Sequence, residues 1–197
     1  LVYGGANMTL SATDVEMSAD AFIGADFVVA QLEVPFEAIE QAFKIARKQN
    51  ITTVLNPAPA IELPKSLLEL TDIIIPNETE AELLTGISIN NESDMKETAT
   101  YFLDLGISAV LITLGEQGTY CAYQEQYKMI PACNVKAIDT TAAGDTFIGA
   151  FLSELNKDLS NIESAIRLAN QASSLTVQRK GAQASIPTRK EVEAEYN

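Results

Sequence analysis

The chain has 197 residues, 47% of them apolar and 7% aromatic, with a formal net charge of −14; this excludes a disordered chain and predicts one domain burying roughly 70% of its unfolded surface. The acidic balance excludes a nucleic-acid or anionic-membrane partner, because no basic face is available to release phosphate counterions. Two cysteines, Cys121 and Cys133, are too few for a disulfide framework and predict reduced, inert thiols in apolar strand-like surroundings, while the absence of histidine removes Ser-His and Cys-His nucleophiles and most zinc sites.

Leu1-Val2-Tyr3 reads as the interior or tail of a strand. Short apolar runs follow at Phe27–Ala30, Thr53–Leu55, Ile73–Ile75 and Val110–Ile112, each bounded by polar or turn residues and too short for a helix. Helical patterns separate them. Ile39, Ala42, Phe43 and Ala46 form one buried face after Pro35, which suits a first turn. Ala81, Leu83 and Leu84 extend from Asn77, Asn90–Asp94 reads as a solvated loop, and Ala99, Phe102, Leu103 and Leu105 run to a stop at Gly106. Thr119–Tyr123 and Tyr127–Ile130 read as a hairpin around Gln124-Glu125-Gln126, although the turn lacks glycine. Val135–Ile138 reads as extended, and helices are expected over Asp145–Leu155, Ile162–Val177 and Arg189–Glu195. Continuous apolar strands alternating with helices predict an α/β protein with a mostly parallel sheet covered on both faces. No apolar run approaches the ~18 residues of a membrane span, and no signal peptide is present, so the expected compartment is the cytoplasm.

Each apolar run ends in polar residues: Gln31-Leu32-Glu33, Asn56, Asn77-Glu78 and Thr113-Leu114-Gly115. Ligands of open α/β sheets bind outside the carboxyl ends of the strands, so four such ends favour a site over caps and loops. Asn77 with Glu80 also fits a capping box, and that reading stays open.

The most informative segment is Ala137 to Phe147, Ala-Ile-Asp-Thr-Thr-Ala-Ala-Gly-Asp-Thr-Phe. Small side chains at Ala142, Ala143 and Gly144 let backbone N–H groups face a ligand, and the helix that follows contributes about half a positive charge at its start. A carboxylate at Asp145 inside such an anion site is unfavourable unless it takes a proton or helps hold a cation, which points to phosphoryl transfer with Asp145 as base. The plainer alternative is a helix cap, but Asp139, Thr140 and Thr141 already offer capping oxygens. Gly144 to Gly149 mimics P-loop spacing, yet Ala150 and Phe151 stand where Lys and Ser/Thr are needed.

Asp139–Asp145 resembles the C-terminal signature of the ribokinase-like (phosphofructokinase-B type) carbohydrate kinases. Gln31-Leu32-Glu33, Asn56-Pro57-Ala58-Pro59-Ala60, Asn77-Glu78-Thr79-Glu80, Thr113-Leu114-Gly115-Glu116-Gln117-Gly118 and Arg179-Lys180-Gly181-Ala182-Gln183 match further stretches in the same order. The resemblance implies a single domain over residues 1–197 with a three-layer αβα ribokinase-like fold. The family's N-terminal strands, Gly-rich sugar-binding region and β lid, roughly a third of its length, are expected to precede Leu1 and are absent from this sequence. It also implies ATP-dependent phosphorylation of a sugar hydroxyl, D-ribose to D-ribose 5-phosphate first among the sugars, with ATP accompanied by Mg²⁺.

By the same resemblance, Asp145 is the base and Ala142, Ala143 and Gly144 supply the anion hole. Asn77, the loop Thr113, Leu114, Gly115, Glu116, Gln117 and Gly118, and Asn170 near the adenine would bind ATP with Gly144 and Asp145. Glu33 would join Asp145 on the sugar, and Glu80 would reach Mg²⁺ through a water. Asp139 and Thr141 match one half of a monovalent cation site for K⁺, and Thr176, Arg179, Gly181 and Ser185 the other, largely through carbonyls. A homodimer is left open. Competing readings are another sugar or nucleoside kinase of the family, such as a fructokinase, and a non-catalytic nucleotide or sugar sensor on the same scaffold.

Overall fold

The four apolar runs fold as strands β1 (Phe27–Gln31), β2 (Thr52–Asn56), β3 (Ile73–Ile74) and β4 (Ala109–Thr113) in the computed structural model, which describes residues 4–196. The strand expected at Leu1-Val2-Tyr3 lies outside the described residues. β1 to β4 pair in parallel, with Val29 opposite Val54, Leu55 opposite Ile74 and Ile74 opposite Val110. Val54, Leu55, Ile73, Ile74, Val110, Leu111 and Ile112 are inaccessible to solvent, as a parallel sheet covered on both faces requires. Strand order follows chain order through β5 (Gly118–Tyr123) and β6 (Gln126–Pro131). Gln124 (φ 49°) and Glu125 (φ 61°) join those two strands. Positive φ at both central residues is the type I′ geometry of two-residue hairpins, adopted here without the usual glycine.

By its internal contacts the chain divides into two units. The first comprises residues through Thr113 with Tyr120–Lys128, and the second comprises Leu114–Thr119 with Met129 to the end, so the hairpin tip belongs to the first and its base to the second.

In the first unit, α1 (Ala12–Met17) is set by a capping box between Ser11 and Asp14, an element the apolar periodicity does not reveal. α2 (Phe36–Lys48) buries Ala38, Ile39, Phe43, Ile45 and Ala46, with Pro35 at the cap instead of inside the first turn. A short α3 (Lys65–Leu68) follows, then α4 (Glu78–Thr85), which leaves Leu83 46% exposed and stops at left-handed Gly86. α5 (Glu92–Asp104) begins inside the stretch expected as a loop. The Asn91 side chain accepts from the N–H groups of Ser93 and Asp94, so Asn90–Asp94 is a helix start and not a solvated connection.

In the second unit, α6 (Ala143–Glu154) and α7 (Ile162–Thr176) match the expected helices, and α8 (Arg189–Tyr196) ends the described chain. No strand forms over Val135–Ile138. α6 buries Phe147 and Phe151, whose rings stack 6.2 Å apart. α7 buries a row of alanines at 165, 169 and 172. α8 docks through Val192 against Ala172 and Leu175, and the Tyr196 hydroxyl lies 2.6 Å from Ser174 Oγ. Neither cysteine is in a disulfide; Cys121 is buried in β5, but Cys133 is half-buried and lies outside any strand. No helix among the described residues is long and apolar enough to cross a membrane.

Candidate active site

The turn entering α6 is held from both sides. The N–H groups of Ile138 and Asp139 donate to the Val177 carbonyl at 2.7 and 3.2 Å. Asp139 Oδ1 accepts the Thr141 N–H at 3.0 Å, and Oδ2 accepts the Gly181 N–H at 3.1 Å. The Thr141 hydroxyl first, and then these two N–H groups, pull the Asp139 carboxyl down to about 2. The capping oxygens expected of Asp139, Thr140 and Thr141 do not cap α6. Its N-cap is Ala142, in the left-handed region at φ 61° and ψ 11° with no side-chain cap bond, because Asp139 is engaged in tying two loops together.

The Thr146 N–H closes the first helical bond to the Ala142 carbonyl at 2.9 Å, and the Ala143 N–H returns to the Thr140 carbonyl at 3.2 Å. One of the three amides expected to line an anion hole is thus engaged within the turn itself. Gly144 and Asp145 follow in the first helical turn, where backbone N–H groups have no intrahelical acceptor. The Asp145 side chain is exposed and lies at a cavity of about 290 Å³ bordered by Gly149 and Ala150 of α6, Ile186 and Arg189.

The two stretches implied to hold a monovalent cation do meet, through the bond from Gly181 to Asp139. Thr176 is fully buried and donates to Thr146 Oγ1 at 3.1 Å, and its carbonyl accepts the Arg179 N–H at 3.0 Å. The Ser185 hydroxyl, also buried, donates to the Ala182 carbonyl at 2.6 Å. The Arg179 side chain pairs with Glu191 at 2.8 Å, so any cation contact there falls to backbone oxygen.

In the loop after β4, the Leu114 N–H donates to the Gly118 carbonyl at 2.8 Å around a 3₁₀ turn over Gly115–Gln117. The two glycines differ in purpose. Gly115 (φ 52°) faces open space, whereas a Cβ on Gly118 (φ 112°) would lie 2.2 Å from the Ile130 carbonyl oxygen and 2.5 Å from the Ala132 nitrogen. Gly118 is required by the chain's own backbone. Asn170 is buried: Oδ1 accepts the Thr119 hydroxyl at 3.0 Å, and Nδ2 donates to the carbonyls of Ile130 and Pro131 at 3.1 and 3.2 Å. Its amide is therefore committed to the hairpin base.

In the first unit, the Asn77–Glu80 capping box is fully formed. Asn77 Oδ1 accepts the Glu80 N–H at 2.8 Å, while the Asn77 N–H and Nδ2 donate to Glu80 Oε2 and Oε1 at 2.8 and 2.9 Å. Burial raises the Glu80 pKa, and the Asn77 N–H offsets part of that. Each carboxylate oxygen already holds one donor and keeps one lone pair, which fits contact with a metal's water shell better than direct ligation. Among the described residues no group of three or more His, Cys, Asp and Glu could cage a metal. Thr113 donates its N–H to the Pro76 carbonyl at 2.9 Å. Gln31 Nε2 donates to Asn56 Oδ1 and Asn56 Nδ2 to the Ile75 carbonyl, both at 2.8 Å. These two polar strand ends form a side-chain ladder, and Glu33 lies exposed in the turn beside it.

Thr119, Thr146 and Ser173 were not visible as site residues in the sequence. The available signal, for Ser173 alone, is a polar row: Asn170, Ser173 and Thr176 recur every three residues on α7.

The family model described as pfkB family carbohydrate kinase matches residues 1–189. The ribokinase of Staphylococcus aureus (strain COL) is 64% identical over 191 residues, covering 97% of this chain and 63% of that protein. A bifunctional ribokinase/ribose-5-phosphate isomerase A of Fructilactobacillus sanfranciscensis is 53% identical over 191 residues, 97% of this chain and 35% of its own. The structure of Arabidopsis thaliana ribokinase complexed with ribose and ATP superposes with a TM-score of 0.88 at 32% identity, covering 98% of this chain and 63% of that one. The chain thus spans less than two thirds of the length of these relatives. With the family's signature entering α6 and its α/β fold behind it, the chain belongs to the pfkB family of carbohydrate kinases.

Proposed function

We propose that the protein transfers the γ-phosphoryl group of ATP to a sugar hydroxyl, with D-ribose converted to D-ribose 5-phosphate. The observation that carries this reading is a carboxylate, Asp145, in the first turn of a helix entered through left-handed Ala142. In that position it can accept the proton of the attacking hydroxyl as the new O–P bond forms and the bond to the leaving ADP oxygen breaks. The Gly144 N–H beside it stabilises charge developing on the phosphoryl oxygens. Mg²⁺ arriving with ATP would neutralise phosphate charge, and Glu80 would hold it through a water. Leu114–Gly118 and Asn77 receive the nucleotide, Glu33 bonds sugar hydroxyls, and oxygens of the Asp139 and Arg179–Ser185 loops would hold K⁺. The ribokinase relatives support ribose as the sugar.

The test is phosphoryl transfer by the full-length protein across pentoses, hexoses and nucleosides, with products identified by phosphorus NMR. D-Ribose should give the highest kcat/KM. A preferred hexose or nucleoside would move the protein within the family, and ATP binding without transfer to any acceptor would replace the kinase reading with a sensor.

A further inference from the structure

Ser173 lies outside every motif described above. A serine inside a helix ordinarily bonds back to its own helix or to water, and neighbouring Ser174 does so, donating to the Gln171 carbonyl at 2.7 Å. Ser173 instead crosses to α6, where its hydroxyl donates to the Ala143 carbonyl at 2.9 Å. The side chains three residues to either side cross as well, Asn170 to the hairpin base and Thr176 to Thr146.

The Ala143 carbonyl and the Gly144 N–H belong to one planar trans peptide group and point in opposite directions. Fixing the oxygen therefore fixes where the Gly144 N–H points. The preceding peptide is fixed too, because the Ala143 N–H is held by the Thr140 carbonyl. The turn needs such restraint, since Ala142 sits in a left-handed conformation that an L side chain disfavours. A donor on the carbonyl also polarises the peptide group and strengthens its N–H as a donor.

We infer that Ser173 is a positioning residue that aims and polarises the Gly144 N–H toward the phosphoryl group in transfer. The inference rests on the kinase reading above. Ser173 touches neither substrate; it acts through the peptide between Ala143 and Gly144. Its effect then belongs to the transition state, where charge on the transferring group is greatest, and not to ground-state binding.

Ser173→Ala and Ser173→Thr in the full-length protein test this. Ser173→Ala should lower kcat about tenfold, the lower range for a group that orients a direct contact, while the KM values for ATP and sugar stay within about twofold. Affinity for ADP with aluminium fluoride and sugar, a mimic of the phosphoryl group in flight, should fall by the same factor, and affinity for ADP alone should not change. Ser173→Thr, which keeps the hydroxyl, should restore kcat. A wild-type kcat in Ser173→Ala overturns the inference, as does a loss shared equally by ADP binding or one that Ser173→Thr fails to restore. A wild type that transfers no phosphoryl group overturns the kinase reading itself, whereas these variant results overturn the role of Ser173 alone.

Discussion

Gly118→Ala should destabilise the fold through the chain's own backbone. A Cβ there would sit 2.2 Å from Ile130 O, 2.5 Å from Ala132 N and 2.7 Å from Pro131 C, and reaching the 3.4 Å of ordinary packing needs a shift of about 1 Å. No flexible side chain can give way, because all three atoms are backbone. The strand end that would have to move is held by the Asn170 amide on Ile130 and Pro131. Residue 118 also sits at φ 112° and ψ −136°, a region costing about 1–3 kcal/mol for any residue with a Cβ, and overpacking adds about 1–3 kcal/mol. The expected loss is therefore about 2–6 kcal/mol out of the roughly 5–15 kcal/mol typical of a folded domain. Gly115→Ala is the control: it meets no atom within 4 Å and should cost only the left-handed penalty of about 1–2 kcal/mol. Urea unfolding followed by far-UV circular dichroism measures both. Equal losses in the two variants, or a Gly118→Ala loss under about 0.5 kcal/mol, would refute the backbone-clash reasoning.

Thr98→Val should stabilise the protein by about 1 kcal/mol, because Thr98 Oγ1 is buried without a hydrogen-bond partner; a lower urea midpoint would show that the hydroxyl is satisfied. Asp139 is pulled from 3.8 to about 2 in the folded chain, so the unfolded chain takes up that proton first as pH falls. Its contribution is complete above the unfolded value near pH 4 and disappears as pH drops toward 2. Asp139→Asn should flatten that part of the stability–pH curve, and a variant with the wild-type slope would contradict the assignment. Replacing K⁺ by a bulky organic cation at constant ionic strength should lower kcat, and Asp139→Ala should abolish the difference. Indifference of the wild type to the monovalent ion would remove the cation site.

Strands β1 to β4 and helices α2, α6 and α7 were legible because each carries a long or unbroken apolar pattern that packing enforces. What escaped were elements set by local hydrogen bonds. α1 and the start of α5 depend on caps at Ser11 and Asn91, and their apolar periodicity is weak. The Gln124-Glu125 turn adopts the hairpin geometry without glycine, so composition could not identify its type. At the candidate site, Asp145 stands out in the sequence because charge within a run of small residues is conspicuous, and the family resemblance paired the Asp139 loop with the loop at Gly181, which the bond from Gly181 to Asp139 joins. The separate purposes of Gly115 and Gly118 could not be read, since both look permissive until the neighbouring backbone is known. Gln31 and Asn56 read as ligand-facing ends but bond across the strands, and Asn170 read as adenine-facing but bonds to Thr119 and β6. A side-chain amide carries the same signal whether its partner is a ligand or a carbonyl of the fold.

In the proposed reaction, Asp145 removes the proton of the accepting sugar hydroxyl. The most direct measurement is kcat for ribose phosphorylation by Asp145→Asn in the full-length protein, alongside its affinity for ATP. The amide has nearly the same shape as the carboxylate but cannot serve as the base, so kcat should fall at least ~100-fold while ATP affinity is unchanged. A near-normal kcat would contradict the mechanism and remove Asp145 from the chemistry.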